Sequence, residues 1–176
     1  IDDIVLKGYN ETTSKDSEPV RIFSPSGTPA QQFAQFGWVG SNLTVPGPQT
    51  LWEADGDVLT ADTPVTLTHD NGEGLTFAIR YSIDDKFMVT AEQSVANSGG
   101  APVGIQPFGL VKRTSRTASE DLGIAHSGPI GVVGDSADYD VDYDDLDDDQ
   151  RISPEGRTSW AGFTDIYWLA ALVPQD

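Results

Sequence analysis

The feature that most constrains the fold is the segment 75–111, the longest region in which apolar and polar residues alternate with a period of two. Its first part places four apolar side chains on one side of an extended chain: Leu75, Phe77, Ile79 and Tyr81. The alternation resumes at Phe87 and is broken by the Asn-Ser-Gly-Gly sequence of residues 97–100. Because successive side chains of a strand point to opposite faces, this pattern predicts three half-buried strands joined by short turns, an antiparallel meander.

Short strand-like segments separated by Gly, Pro and Asn recur through the rest of the chain. They lie at residues 1–9, 19–23, 30–40, 50–53, 64–68, 128–134 and 158–173. The Asn-Gly pair at 71–72 predicts a tight turn into the central segment, and we expect His69 in that exposed turn. No window keeps the 3.6-residue periodicity of a helix, although residues 119–123 suffice for one helical turn. The sequence therefore predicts an all-β sandwich.

The last of these segments contains the most apolar strand. Two strands are predicted on either side of Thr164 and Asp165, and the second, residues 166–173, is apolar on both faces. A strand without alternation is typical of one that is covered on both sides. We therefore expect this strand at the centre of the sandwich.

The charge of the chain excludes some classes of partner. The 176 residues carry a formal net charge of −18, and they include no cysteine. A nucleic-acid-binding protein needs Lys and Arg to displace the counterions of phosphates, and an acidic chain is also repelled by anionic lipid. The length is that of a single domain, and the charge itself is typical of a soluble, self-repelling surface.

The sequence has no segment that would cross a membrane. Its longest apolar run, residues 166–173, contains eight residues, whereas a spanning helix needs about 20. The chain begins without Met or a signal peptide, directly in strand-like sequence, so we expect a piece of a longer protein.

Catalytic motifs are not evident. Only His69 and His126 are available as a base with a pKa near neutrality, and neither stands in a recognisable motif. The sequence contains neither a nucleophile elbow nor a phosphate-binding glycine loop. We expect a protein that is not an enzyme and has no cofactor, with His126 as a hydrogen-bonded structural residue.

The acidic run at residues 135–150 allows two interpretations. Asp138, Asp140 and Asp142 have the one-three-five spacing of a calcium loop, and carboxylates suit that cation. Tyr143, however, occupies the sixth position, where such loops need Gly, and the twelfth position is Asp149 instead of Glu. The same residues fit an amphipathic strand with an acidic outer face, which we favour over a metal site.

Four aromatic residues cluster near the end of the chain: Trp160, Phe163, Tyr167 and Trp168. Aromatic side chains dominate both binding surfaces and cores, so a partner-binding platform and a packed core remain open as alternatives. Core packing is favoured for one of the adjacent pair Tyr167 and Trp168, because one of two neighbouring strand residues faces inward.

Seven segments, in order along nearly the whole chain, are similar to one family. They are IDDIVLKGY, QQFAQFGWVG, TLWEADGDVLTADTPVTLTHDNGEGLTF, PFGLVKR, HSGPIGVVGD, VDYDDLDD and WAGFTDIYWLAALVP. Together they resemble the large periplasmic domain of bacterial YidC/OxaA-type membrane protein insertases, in the form found in alphaproteobacteria.

The resemblance implies an antiparallel β-supersandwich with a galactose-mutarotase-like shape, incomplete on its C-terminal side. Residues 1–176 would form a single periplasmic domain at the periplasmic face of the inner membrane, attached through transmembrane helices that this sequence lacks. Its implied role is non-catalytic, in an insertase and chaperone for membrane proteins. The implied partners are Sec translocon accessory subunits, contacted through residues 128–173, and nascent membrane proteins. A carbohydrate-binding or mutarotase-like module and a purely structural spacer remain as alternatives.

Overall fold

A computed structural model of the chain describes residues 1–114, 126, 128–138, 141, 143–148, 153–164 and 168–175. The predicted all-β class is confirmed. Each strand pairing for which the described residues give a residue-by-residue register is antiparallel. The strands are β1 (Ile4–Asn10), β2 (Pro19–Phe23), β3 (Gln32–Gly40), β4 (Glu53–Ala54), β5 (Val65–Asp70), β6 (Leu75–Ile83), β7 (Val89–Asn97), β8 (Ile105–Arg113), β9 (Pro129–Val133), β10 (Ser136–Asp138), β11 (Thr158–Thr164) and β12 (Leu169–Leu172). One short helix, α1, spans Tyr143–Asp148.

The chain divides into two compact units. Unit 1 consists of Ile1–Gln35 and Leu110–Asp176, and unit 2 is Phe36–Gly109. The described strands form two four-stranded sheets, in the orders β4-β5-β6-β7 and β10-β9-β11-β12, and two strand pairs, β1-β2 and β3-β8. No helix among the described residues is long and apolar enough to cross a membrane.

The core of unit 2 is built on the strand that begins the period-two segment. In β6 the side chains of Leu75, Phe77 and Ile79 are buried, and Phe77 is 0% exposed. Trp38 of β3 completes this cluster at 3% exposure. The alternation of apolar and polar residues therefore sets which face of β6 is buried, as predicted.

The expected three-stranded meander is wrong at its third strand. The antiparallel partners of β6 are β5 and β7, whereas β8 pairs with β3. After β7 the chain does not turn back to pair with it, and the Ser98 N–H donates to the carbonyl of Gly74 over 2.9 Å. This bond ties the Gly-Gly segment to the preceding hairpin turn. The whole connection between β7 and β8, residues 98–104, contains seven residues and is long enough to lead to another strand.

The expectation that Phe87 faces inward at the start of a strand is also wrong. β7 begins at Val89, and Phe87 lies in the turn before it with φ of 65° and 82% exposure. From Val89 onwards the alternation holds, with Ala91 and Val95 packed against the core. The turn residues thus shift the start of the strand by two positions.

Unit 1 contains the sheet formed by the last strands. β11 pairs with β9 on one side and with β12 on the other. The expected strand at 166–173 corresponds to β12, which lies at the end of this sheet in the described part of the chain. Leu169 is 52% exposed and only Ala170 is buried. The prediction of a central strand is therefore wrong. Two of the four residues of β12 are Ala, and their small side chains make the segment apolar but fill little of a core.

The acidic run does not form one continuous strand. β10 ends at Asp138, and Tyr143 is the first residue of α1. The expected amphipathic strand over 138–143 is wrong at its far end. The sequence did not reveal this helix, because six residues are too few to establish a 3.6-residue period.

Candidate functional site

The aromatic residues of β11 do not share one face. Trp160 lies opposite Val132 of β9, and Phe163 lies opposite Pro129 of β9 and Ala170 of β12. The register is regular from Trp160 onwards, so two residues three positions apart point to opposite sides of the sheet. Both side chains are half-buried. The strand therefore separates them, and a role of either in binding a partner stays a prediction.

Trp168 forms an aromatic pair that the sequence did not suggest. Its indole ring meets the ring of Tyr9 of β1 edge to face, with centroids 5.3 Å apart and planes at 79°. Tyr9 is 61% exposed and Trp168 is half-buried. Tyr9 was not recognised because it is 159 positions from Trp168 and belongs to a different strand pair. Tyr167 lies outside the described residues, and partner binding by it and by Trp168 stays a prediction.

The candidate calcium ligands are only partly described. Asp138 is the last residue of β10, while Asp140 and Asp142 lie outside the described residues. In the described ranges no group of three or more His, Cys, Asp or Glu side chains is placed to hold a metal ion. The calcium interpretation therefore stays untested.

His69 is placed differently from the prediction. It lies in β5 and is half-buried, not in an exposed turn. Its Nδ1 donates to the Leu51 carbonyl over 3.1 Å, and its ring lies 5.9 Å from that of Trp52. The turn itself follows at Asn71 and Gly72, and Gly72 has φ of 74°. His126 is hydrogen-bonded as predicted, since its Nε2 donates to the Pro129 carbonyl over 2.7 Å, and its structural role stays a prediction.

His69 borders an open polar groove of about 250 Å³ in unit 2. The groove is lined by Leu51, Glu53, Thr68, His69, Asp70 and Thr76. Two carboxylates and one imidazole give it hydrogen-bonding capacity, but its lining contains no Trp, Tyr or Phe on which a sugar ring would stack. This groove therefore does not favour the carbohydrate-binding alternative.

The turn between β6 and β7 is closed by hydrogen bonds and exposes two large apolar side chains. Phe87 is 82% exposed and Met88 is 61% exposed. The carboxylate of Asp84 accepts the N–H groups of Lys86 and Met88 over 2.9 and 2.8 Å. The sequence does not reveal this site, because Phe87 fits the period-two pattern of a half-buried strand.

The electrostatic surroundings of both units are acidic. With 28 Asp and Glu against 10 Lys and Arg, most carboxylates have no basic side chain to neutralise them. The ion pairs Arg21–Asp3 and Arg80–Glu92 are both solvent-exposed. A surface of this kind favours partners with basic groups at the point of contact.

Two titratable groups of unit 2 have shifted pKa values. The Thr66 backbone N–H donates to the Asp55 carboxylate over 2.7 Å and, with the Thr66 hydroxyl, lowers the pKa of Asp55. Burial raises the pKa of Tyr81, whose ring lies 6.2 Å from that of Phe36. Asp55 is exposed directly after β4, and Tyr81 packs against the core, so both pKa shifts follow from how the strands are held together.

Comparison with known proteins gives a consistent set of relatives. The family model described as YidC periplasmic domain matches residues 1–176. A protein named "Membrane protein insertase YidC" from Methylobacterium sp. (strain 4-46) is 44% identical over 184 residues, covering 99% of this chain and 30% of that protein. Proteins of the same name from Beijerinckia indica and Zymomonas mobilis are 42% and 41% identical, over 99% and 100% of this chain.

The chain spans about 30% of the length of these curated relatives. No solved structure matches the chain.

Proposed function

The chain belongs to the YidC periplasmic domain family, and from this premise we propose that it is the periplasmic binding domain of an inner-membrane protein insertase. The observation that carries the proposal is the family match over residues 1–176, together with 41–44% identity to proteins named as insertases. In this role the domain lies on the periplasmic side of the inner membrane and acts without catalysis.

The proposed partners are nascent membrane proteins and Sec accessory subunits. The name of the relatives, membrane protein insertase, supports the first of these. The second rests only on the resemblance described above, as does the assignment of residues 128–173 to that contact. A folded β-domain with an acidic surface and exposed apolar side chains such as Phe87 and Met88 suits transient contact with segments that carry both apolar and basic side chains.

The proposal also assigns insertion and partner binding to different parts of the parent protein. Insertion itself belongs to membrane-spanning segments of the insertase, and the described part of this chain contains no helix of that kind. The domain then contributes capture or orientation of a partner outside the bilayer. It accelerates insertion by raising the local concentration of that partner, not by chemistry of its own.

A crosslinking scan tests the proposal. A photo-crosslinking residue is placed in turn at exposed positions of both units in the intact insertase, during insertion of a ribosome-bound membrane protein. We expect covalent capture of the nascent chain or of a Sec accessory subunit from at least one connected patch. A control position in the membrane-spanning region shows that substrate is engaged.

Capture at that control position with silence at every exposed position of this chain would overturn the proposal. A companion experiment deletes the domain. The proposed function predicts slower insertion of substrates with periplasmic loops, whereas the spacer alternative predicts an unchanged rate.

A further inference from the structure

We propose that the turn of residues 84–88 is a docking knob, whose Phe87 and Met88 side chains enter an apolar pocket rimmed by Lys or Arg on a partner protein. The inference rests on the proposed function and deepens it, since it names the contact point and the chemistry of the partner's surface.

The knob is held rigidly by its own backbone. Asp84 closes the turn in both directions: its N–H donates to the Met88 carbonyl and its carbonyl accepts the Phe87 N–H, both over 3.1 Å. Its carboxylate accepts two further N–H groups, those of Lys86 and Met88. A loop fixed by four hydrogen bonds loses little conformational entropy when it docks.

The backbone conformation of Phe87 is one that a bulky residue rarely adopts. Its φ of 65° lies in the left-handed region, where Gly, Asn and Asp are favoured and an aromatic residue is strained. A turn that served only to connect β6 with β7 would be more stable with Asn or Gly at this position. Strain retained at a well-defined site is a common mark of function.

The exposure of the two side chains is a second feature, independent of the strain at Phe87, that lowers the stability of the unbound protein. Phe87 is 82% and Met88 61% exposed, side by side at the tip of a hairpin. Aromatic residues and Met are enriched at the centres of protein interfaces, and the flexible Met side chain adapts to an irregular pocket. Burial of this pair in a partner removes their apolar surface from water and so stabilises the complex.

Charge selects a basic protein as the occupant. Residues 36–109 contain nine Asp and Glu against two Lys and Arg, and within the knob Asp84 and Asp85 outnumber Lys86. A second copy of the chain, with a net charge of −18, would be repelled, and so would a bilayer rich in anionic lipid. A convex apolar tip with acidic flanks is complementary to a concave apolar pocket with a basic rim.

The first test is photo-crosslinking from position 88 of the intact insertase during insertion of a ribosome-bound membrane protein, with Sec accessory subunits identified by antibody. We expect capture of a folded Sec accessory subunit, because an extended nascent chain offers no pocket, and weaker capture in about 0.5 M NaCl, because screening removes the charge complementarity. Position 58, where Val58 is 67% exposed, is the control and captures neither.

Crosslinks from position 88 only to the nascent chain, only to lipid, to a second copy or within the same polypeptide would each overturn the proposal. If other exposed positions capture partners while position 88 stays silent, the knob fails and the proposed function stands. If no position captures a partner, both fail.

The second test separates docking from a structural role. Phe87→Asn removes the aromatic ring and places a residue that tolerates positive φ, so the thermal midpoint should stay the same or rise by up to about 4 °C. Capture of the partner from a crosslinker at position 88 should fall about tenfold. The matched variant Val58→Asn removes an exposed apolar residue elsewhere and leaves capture unchanged. A clear drop in the midpoint of Phe87→Asn would show that Phe87 supports the fold and would overturn the proposal.

Discussion

The rings of Trp38 and Phe77 meet edge to face, with centroids 5.1 Å apart and planes at 61°. The two residues come from β3 and β6, which are not hydrogen-bonded neighbours, so this contact joins different strand groups within unit 2. Phe77 is fully buried and Trp38 is 3% exposed. Such pairs contribute about 0.5–1.5 kcal/mol beyond the burial of their surface.

Phe77→Ala should therefore destabilise the chain by about 3–5 kcal/mol, since it leaves a cavity under the Trp38 ring. Phe77→Leu, which keeps most of the volume, should cost about 1.5 kcal/mol. Chemical denaturation followed by tryptophan fluorescence measures both. Arg80→Ala on the opposite face of β6 is the control, because its ion pair with Glu92 is exposed and 3.9 Å long. A loss in Phe77→Ala no larger than in Arg80→Ala would contradict this account of the core.

Gly162→Ala should disrupt the sheet of unit 1. A Cβ at Gly162 would collide with the carbonyl oxygen of Ala170 and lie 2.6 Å from the Cα of Ala171, both in the backbone of β12. Because backbone atoms cannot rotate away, β12 has to shift, and we expect a cost of about 3 kcal/mol in the free energy of unfolding. Hydrogen exchange should show lost protection in β11 and β12 but not in β6. Gly104→Ala is the control, since nothing lies within 4 Å of its Cβ position, and it should be neutral or slightly stabilising.

The sequence predicted the strands of this chain better than their partners. The bounds of β2 and the buried face of β6 follow from alternation and turn residues, which are local properties. The pairing of β8 with β3 depends on where a seven-residue connection leads, and no local pattern encodes that. The placement of Phe87 in a half-buried strand was wrong for a related reason. Its hydrophobicity fits a core strand, whereas the hydrogen bonds of Asp84 place it at the tip of a turn.

The candidate surfaces show the same limit. The contact between Trp168 and Tyr9 joins residues far apart in the chain, so composition near Trp168 gave no hint of it. Conversely, Trp160 and Phe163 are close in sequence but are separated by the alternation of the strand on which both lie. From the sequence alone, only the family resemblance, which covers nearly the whole chain, indicates a function.

Asp55→Asn should lower the thermal midpoint at neutral pH but not in acid. Its pKa is lowered in the folded state by the Thr66 N–H, so the ionised carboxylate stabilises the fold above the unfolded pKa of about 4. That contribution is lost as the pH falls through the lower folded pKa, and the variant and the parent chain should then unfold together. Thermal unfolding at pH 7 and at about pH 2 measures the difference. The exposed residue Asp57 supplies the control Asp57→Asn. A difference between Asp55→Asn and the parent chain that persists unchanged in acid would refute the assignment.

Removal of divalent cations should leave stability unchanged. A helix begins at Tyr143, the sixth position of the would-be calcium loop, where calcium loops need a turning Gly instead. We therefore expect thermal unfolding in EDTA and in millimolar calcium to give coincident curves. Magnesium serves as the control for general screening of the acidic surface. A midpoint raised by calcium but not by magnesium would support a metal site at Asp138, Asp140 and Asp142.

Asp84→Ala should loosen the turn that presents Phe87 and Met88 without removing either side chain. The substitution deletes the acceptor of two backbone N–H groups, and we expect a loss of about 1 kcal/mol in stability. Asp85→Ala, the matched control, removes the same charge from the neighbouring position and should change stability by less than about 0.5 kcal/mol. Equilibrium unfolding measures both variants, and crosslinking from position 88 measures presentation of the knob. Because both variants lose one negative charge, any difference in capture between them reports the geometry of the turn. If Asp84→Ala captures the partner as well as Asp85→Ala does, pre-organisation by Asp84 is unnecessary and the rigidity of the turn has no part in binding.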